Sequence, residues 1–317
     1  MFIGIDVGCT HLDLAASAAA PALPRRVPNT AEGIARLISA VTRLSPTLIV
    51  LEATGVYHQP LVATLLAAEL PVAVINPAQS AAFRKQHLGR NKTDRADAKL
   101  LARFGELHQA DLRRAEPQAP DVARLRHLVG YRDDLVAQQT AARNRQHAAS
   151  WTDSPLVVAW LADDLAQLAA RLTQVEREIA TVLATIPDSA VLTAQIGVGT
   201  MTAAAVLAYL PAGVLGNPKA AATYAGVHPR QEQSGHRDRS RLSKQGCPAI
   251  RRYLYLAAMS AIRFDPEIGA WYRSLRARGK AAKSALCAVA HKLLRRLMGR
   301  LRQARAAHAT ISLPLAA

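Results

Sequence analysis

Apolar residues fill positions 2–7 and 12–17 and are separated by Gly8, Cys9 and Thr10, the signature of strand, tight turn, strand. A third strand is expected around residues 25–27. Asn29 stands three residues before Glu32, a capping-box spacing, and Ile34, Leu37, Ile38, Val41 and Leu44 then recur with the period of a helix. Residues 48–51 read as a buried strand ending at Glu52, residues 61–70 as a helix, and residues 72–75 as a strand ending at Asn76 and Pro77. Strands alternating with helices after an opening hairpin predict a mixed sheet with flanking helices, an α/β arrangement. A helix over 80–88 is stopped by Gly89, and another runs from near Thr93 to Leu107.

Beyond Pro117 and Pro120 the strand signals cease. Leu161, Leu165, Leu168, Leu172, Val175, Ile179, Val182 and Ile186 alternate spacings of four and three, a heptad seam that predicts a helical hairpin or coiled coil serving as a dimerisation or spacer arm. Pro187 ends it. The chain from Asp188 to Lys219 is uncharged inside and long enough to span a bilayer, but Gln195, Gly197, Gly199, Thr200, Thr202 and Pro211 read better as a turn between two short helices. The Gly197-x-Gly199 turn lets backbone N–H groups approach a phosphate, as in helix-hairpin-helix elements. Residues 231–245 are polar and loop-like, and basic helices follow over 248–262 and 280–307. The domains expected are 1–116, α/β; 117–186, helical; and 187–317, α-helical and basic.

Composition changes this picture mainly through charge. The chain has 317 residues and a net charge of +17; residues 1–218 hold 20 basic and 19 acidic side chains, residues 219–317 hold 20 and 4. Nearly all the excess sits in the last third, which points to a polyanionic partner for that part. Of the basic residues 32 are Arg, whose forked guanidinium suits phosphate oxygens, although an Ala- and Arg-rich chain also reflects base composition. Half the residues are apolar, which excludes global disorder. Cys9, Cys247 and Cys287 form no CxxC pair, so neither a disulfide framework nor a zinc knuckle is indicated. The opening MFIGIDVG carries an Asp in its apolar run and lacks a basic n-region, so no signal peptide is expected and the protein is read as cytoplasmic, with no membrane partner.

The chemistry lies in misplaced carboxylates. Asp6 interrupts an apolar strand, Glu52 ends another, and burial in such company needs a cation. Asp94 and Asp97 are three apart and share one helix face; the bland alternative pairs them with Arg90, Lys92 or Arg95. Four carboxylates from two strands and a helix could converge on two divalent ions, as in phosphodiester chemistry, with oxygen ligands favouring Mg²⁺ or Mn²⁺ over zinc.

GIDVGCTHLDLA, LEATGVYH and NPAQSAAFRKQHLGRNKTDRADAKLLARF resemble, in order, spacing and residue type, the motifs of the DEDD insertion-sequence transposases of the IS110 family. That resemblance implies a RuvC-like, RNase H-like first domain with Asp6, Glu52, Asp94 and Asp97 as its acidic, Mg²⁺-binding positions. IGVGTMTAAAVLAYL and TYAGVHPRQEQSGHRDRSRLSKQGCPAIRRYLY resemble the family's second domain, and place its nucleophilic serine at Ser234. Around it in sequence stand His236, Arg237, Arg239, Arg241 and Lys244, then Arg251 and Arg252; with Gly197 and Gly199 the latter five basic residues and Arg237 are the expected nucleic-acid contacts. A serine hydroxyl needs its proton drawn off and cations on the phosphate to act; Ser240 and Ser243 are rivals for the role. One departure from the family is Cys247–Pro248, where a polar residue more often opens the helix.

The resemblance implies a bacterial DNA transposase, nucleoid-associated, working through a phosphoserine intermediate on donor and target DNA, guided by a structured bridge RNA and acting as a dimer or tetramer. Only 14 aromatics are present, so contacts should be chiefly to phosphate and 2′-hydroxyl groups. The main alternative is a metal-dependent RuvC-like junction resolvase without a serine intermediate. A tyrosine recombinase using Tyr253 or Tyr255 explains neither the acidic quartet nor the first domain, and an actin-like sugar kinase would need a second phosphate loop that the sequence lacks.

Overall fold

The computed structural model describes residues 1–87, 93–152, 154–234, 237–243 and 246–311, with side chains described except at 230–241 and 308–311. The chain forms two compact units, Met1–Pro117 and Gln118–Ala317.

In the first unit β1 (Phe2–Val7) and β2 (His11–Ala16) form the expected hairpin, β3 (Arg26–Pro28) adds to β2, and α1 (Ala31–Leu44) crosses to β4 (Leu48–Glu52). Then come α2 (Gln59–Ala67), β5 (Val72–Ile75), α3 (Pro77–His87) and α4 (Asp94–His108). The sheet order is β3-β2-β1-β4-β5, with β1, β4 and β5 parallel and β2 antiparallel to its neighbours, so the sheet is mixed as expected. Alternation along the strands sends side chains to opposite faces. Ile3, Ile5, Ile49 and Leu51 pack with Leu37, Val41, Leu61 and Leu65 of α1 and α2, while Leu48, Val50, Ala73 and Ile75 pack with Phe83, Leu101 and Phe104 of α3 and α4. Gly4 makes the second layer tight: a Cβ there would lie 2.0 Å from the Ala98 carbonyl oxygen and 2.4 Å from the Ala102 nitrogen. Helix α4 therefore rests directly on β1.

The cap of α1 corrects the sequence reading by one residue. Thr30, not Asn29, is the N-cap and its side chain accepts from Gly33 N. Asn29 is used otherwise, its Nδ2 donating to the carbonyl oxygens of Gly8 at 2.9 Å and Tyr57 at 3.3 Å. Thr93 caps α4 the same way, accepting from Ala96 N at 3.2 Å.

In the second unit α5 (Pro120–Ala149) and α6 (Pro155–Ala184) form an antiparallel hairpin, tied by Arg124 to Glu178 at 3.1 Å and Arg132 to Glu176 at 2.8 Å. Leu172, Val175, Ile179, Val182 and Ile186 of the heptad seam are buried in the same core as Leu125 and Val129, and as residues of the helices that follow. Those are α7 (Asp188–Thr193), α8 (Thr200–Tyr209), a 3₁₀ turn (Ala212–Val214), α9 (Pro218–Ala225), α10 (Pro248–Phe264), α11 (Pro266–Ala277) and α12 (Ala282–Ile311). The uncharged stretch is explained by α8, where Thr202 to Ala208 are all buried: it is apolar on every side because protein surrounds it. No helix among the described residues is long and apolar enough to cross a membrane.

Residues expected as a polar loop prove to be a hairpin, β6 (Pro229–Ser234) and β7 (Arg237–Leu242), paired antiparallel from Pro229 opposite Leu242 to Ser234 opposite Arg237. The last region is therefore not purely helical. Its register sets Glu232 opposite Arg239.

Candidate active site

The first unit gathers the four acidic positions on the sheet face beneath α4. Gly4 pairs with Val50 and Ile5 with Leu51, so one further step sets Asp6 beside Glu52 at the carboxyl ends of two parallel strands. On its other side Asp6 pairs with Asp13 of β2, and Asp13 pairs with Arg26 of β3. Glu52, Asp6, Asp13 and Arg26 thus form one row across four strands. Because α4 sits on Gly4, its first turn carries Asp94 and Asp97 over the row.

Each carboxylate except Asp6 has a partner. Asp13, buried, takes a forked pair of bonds from Arg26, from Nε at 3.0 and 3.2 Å and from Nη2 at 2.9 Å. The same guanidinium reaches the exposed Asp94 at 3.5 Å. Arg84 of α3 stands with its Nε 3.1 Å from Oδ1 of the buried Asp97, an ion contact lacking hydrogen-bond geometry, so both buried atoms have no hydrogen-bond partner. Glu52 accepts from the Ser80 hydroxyl at 2.5 Å; Ser80 is itself buried. Asp6 has no cation beside it among the described residues. Burial, followed by repulsion from Asp97, Asp94, Glu52 and Asp13, pushes its carboxyl up from 3.8 to about 6.

Among the described residues no three His, Cys, Asp or Glu side chains stand close enough to hold one metal ion. The donor set nevertheless fits a divalent cation in kind: oxygen ligands only, an orphaned buried Asp97 Oδ1, and a carboxyl whose repelled charge a cation would stabilise. Sequence reasoning missed Asp13, Arg26, Ser80 and Arg84. Asp13 carried the same signal as Asp6, a lone carboxylate between Leu12 and Leu14; the others gave none without the register.

In the second unit Ser234 is the last residue of β6, opposite Arg237, while the side chains of Ser234, Arg237, Arg239 and Arg241 lie outside the described ones, as does Lys244 altogether. The hairpin's return is anchored at Gly246, with φ +140°, where a Cβ would come 2.4 Å from the Tyr224 carbonyl oxygen. Cys247 N donates to that oxygen at 2.8 Å, and Cys247 caps α10 without a side-chain bond. Arg251 and Arg252 open α10. Arg252 is engaged by Asp133 of α5, which also accepts from the Tyr253 hydroxyl at 2.6 Å. Burial and the bond to Asp133 push the Tyr253 phenol up to about 12. Gly197, with φ +88°, packs against Ala261 of α10, where a Cβ would come within 2.7 Å; this backbone approach accounts for the glycine. Gly199 caps α8 and faces open space.

Two family models match the chain, the first running past the boundary at Pro117 to the end of α5. Residues 3–149 match a DEDD family described as "Transposase", and residues 189–273 match the "Transposase IS116/IS110/IS902 family". The "Pilin gene-inverting protein" of Moraxella lacunata is 28% identical over 265 residues, covering 78% of this chain and 77% of that protein, and its Moraxella bovis counterpart matches equally. The "Insertion element IS110 uncharacterized 43.6 kDa protein" of Streptomyces coelicolor is 30% identical over 227 residues, 68% of this chain and 54% of that one.

Proposed function

Because the chain belongs to the IS110 family of transposases, we propose that it cuts and rejoins DNA through a phosphoserine at Ser234, with Asp6, Glu52, Asp94 and Asp97 as the ligands of Mg²⁺ or Mn²⁺. The observation that carries the metal half of this reading is Asp6, half-buried and repelled by Asp97, Asp94, Glu52 and Asp13, with no cation beside it among the described residues. When bound, the cation would neutralise charge on the phosphate and on the departing oxygen. The residues of the chain do the rest. Arg26 and Arg84 hold the Asp13 and Asp97 carboxylates in place, and Ser80 fixes the orientation of Glu52. Ser234 Oγ attacks phosphorus, an ester bond to a strand oxygen breaks, and the serine proton passes by way of a base to that departing oxygen, so the strand end leaves as a hydroxyl. A later hydroxyl attack on the phosphoserine restores the serine and joins the new strand.

The partners of this reading are donor and target DNA, a second copy or more of the chain, and a structured bridge RNA. Their support is the excess of 20 basic over 4 acidic side chains in residues 219–317, together with the family resemblance. A strand-exchange assay with trapping of SDS-stable protein–DNA adducts tests the core of it. Ser234→Ala should lose both adduct and exchange, and Asp94→Asn should lose exchange. Full exchange by Ser234→Ala would assign the chemistry instead to a RuvC-like, metal-dependent resolvase. Sequencing RNA that copurifies with the chain tests the guide: absence of a discrete species removes the RNA and leaves the transposase.

A further inference from the structure

An open pocket of about 510 Å³ lies on the α1 and α2 side of the sheet, at the same carboxyl edge of β1 and β4 that carries Asp6 and Glu52 on the opposite face, lined by Cys9, Thr30, Ile34, Val56, Tyr57 and Pro60 among others. Its place follows from the topology. Strand β1 carries Asp6 and then turns through Cys9; its parallel neighbour β4 ends at Glu52 and leads into the turn bearing Val56 and Tyr57. Open α/β sheets bind ligands at this carboxyl edge. The pocket is built rather than incidental, since Asn29 Nδ2 ties the Gly8 carbonyl to that of Tyr57 and so fixes the β1 turn against the β4 loop.

Its walls select the occupant. They are mostly apolar, and two of them stand open, Val56 62% and Tyr57 47% exposed. The start of α1 borders the pocket but does not offer an anion site: Thr30 Oγ1 already takes the Gly33 N–H, and Glu32 puts a carboxylate in the first turn. A phosphate is disfavoured there and a flat, uncharged ring is favoured. We propose that this pocket receives one unstacked base of the DNA strand whose phosphate meets the carboxylate row, with the Tyr57 ring as its stacking face. The inference rests on the carboxylates handling DNA, as proposed above. Stacking on an aromatic face tolerates any base, so the pocket would position the strand without reading its sequence.

The full-length chain is tested with three probes of equal length: oligothymidylate, the same backbone with abasic residues throughout, and oligouridylate. The wild-type chain should bind oligothymidylate roughly ten-fold more tightly than the abasic strand. Tyr57→Ala should erase that ratio and Tyr57→Phe should keep it. Oligothymidylate, and not the abasic strand, should also shield the exposed Cys9 thiol from iodoacetamide, read by peptide mapping. A ratio near one in the wild-type chain, a ratio unchanged in Tyr57→Ala, or Cys9 labelled equally with both DNA strands would overturn the proposal. Preference for oligouridylate with Cys9 shielded would overturn the assignment to DNA. These readouts need no strand exchange, so they stand or fall separately from Ser234→Ala and Asp94→Asn.

Discussion

Replacing Asp6 by Asn should make the protein inactive and, above pH 6, more stable. The folded Asp6 carboxyl is pushed up to about 6 from 3.8. Between those values the folded chain holds a proton that the unfolded chain has released, so stability falls as pH rises through that window and levels off above it. At full value the shift corresponds to about 3 kcal/mol. Asp6 is partly exposed and screened by solvent, which reduces the expected loss to about 1–2 kcal/mol. The amide of the Asp6→Asn variant carries no charge and escapes this loss. Thermal unfolding of the two proteins without divalent ions, at pH steps from about 4 to about 8, should therefore show curves that separate through the window, with Asp6→Asn melting higher by roughly 2–6 °C at the top. Added Mg²⁺ should reverse the wild-type loss, by about 1.4 kcal/mol at a concentration ten times the dissociation constant. It should do less for Asp6→Asn. Parallel pH curves, or an Asp6→Asn protein less stable by the same amount at every pH, would refute the view that this carboxyl is held against its neighbours' charge.

Three further substitutions test the supports of the two units. Gly4→Ala puts a methyl group 2.0 Å from the Ala98 carbonyl oxygen and should lift α4 off the sheet, costing about 3 kcal/mol and strand-exchange activity together; Gly299→Ala, with nothing within 4 Å, should instead gain about 0.5–1 kcal/mol on chemical denaturation. Tyr253→Phe removes the hydroxyl that donates to Asp133 at 2.6 Å and should cost about 2 kcal/mol at neutral pH. Tyr253 ionises near 12 when folded against 10.0 ordinarily, so its contribution is complete below pH 10 and lost as pH climbs toward 12. Unfolding curves for the wild-type and Tyr253→Phe proteins should converge over that range, and a constant gap would count against the Asp133 bond.

Legibility in the sequence followed locality. Asp6 and Glu52 stood out because carboxylates are expensive beside Ile5 and Leu51, and Asp94 with Asp97 because a spacing of three is a helix face. Arg26 and Arg84 were invisible because their partners depend on strand register and on how α3 meets α4, neither of which leaves a periodic trace. The β6–β7 ribbon escaped because a hairpin polar on both faces lacks the alternation that betrays a strand. Gly4 went unremarked in the sequence because its purpose, the seating of α4 over Asp6, depends on the packing.

The acidic cluster also explains why charge divides as it does between the parts of the chain. Five carboxylates meet on one face of the first unit, Asp6, Asp13, Glu52, Asp94 and Asp97, and among the described residues two guanidiniums answer them, Arg26 and Arg84. A DNA phosphate brought to this face adds negative charge beside carboxylates that already repel Asp6. The basic last third can hold a DNA backbone, but a guanidinium has no open coordination position with which to polarise a phosphoryl oxygen. A divalent cation on the cluster reverses the local sign where the chemistry is proposed, and the Arg-rich region supplies the attraction that brings DNA within reach. On this reasoning DNA binding should be steeply salt-dependent yet nearly indifferent to Mg²⁺, whereas strand exchange should require the ion. Exchange that persists in EDTA would remove the need for a cation and with it the reason for crowding Asp6 among carboxylates.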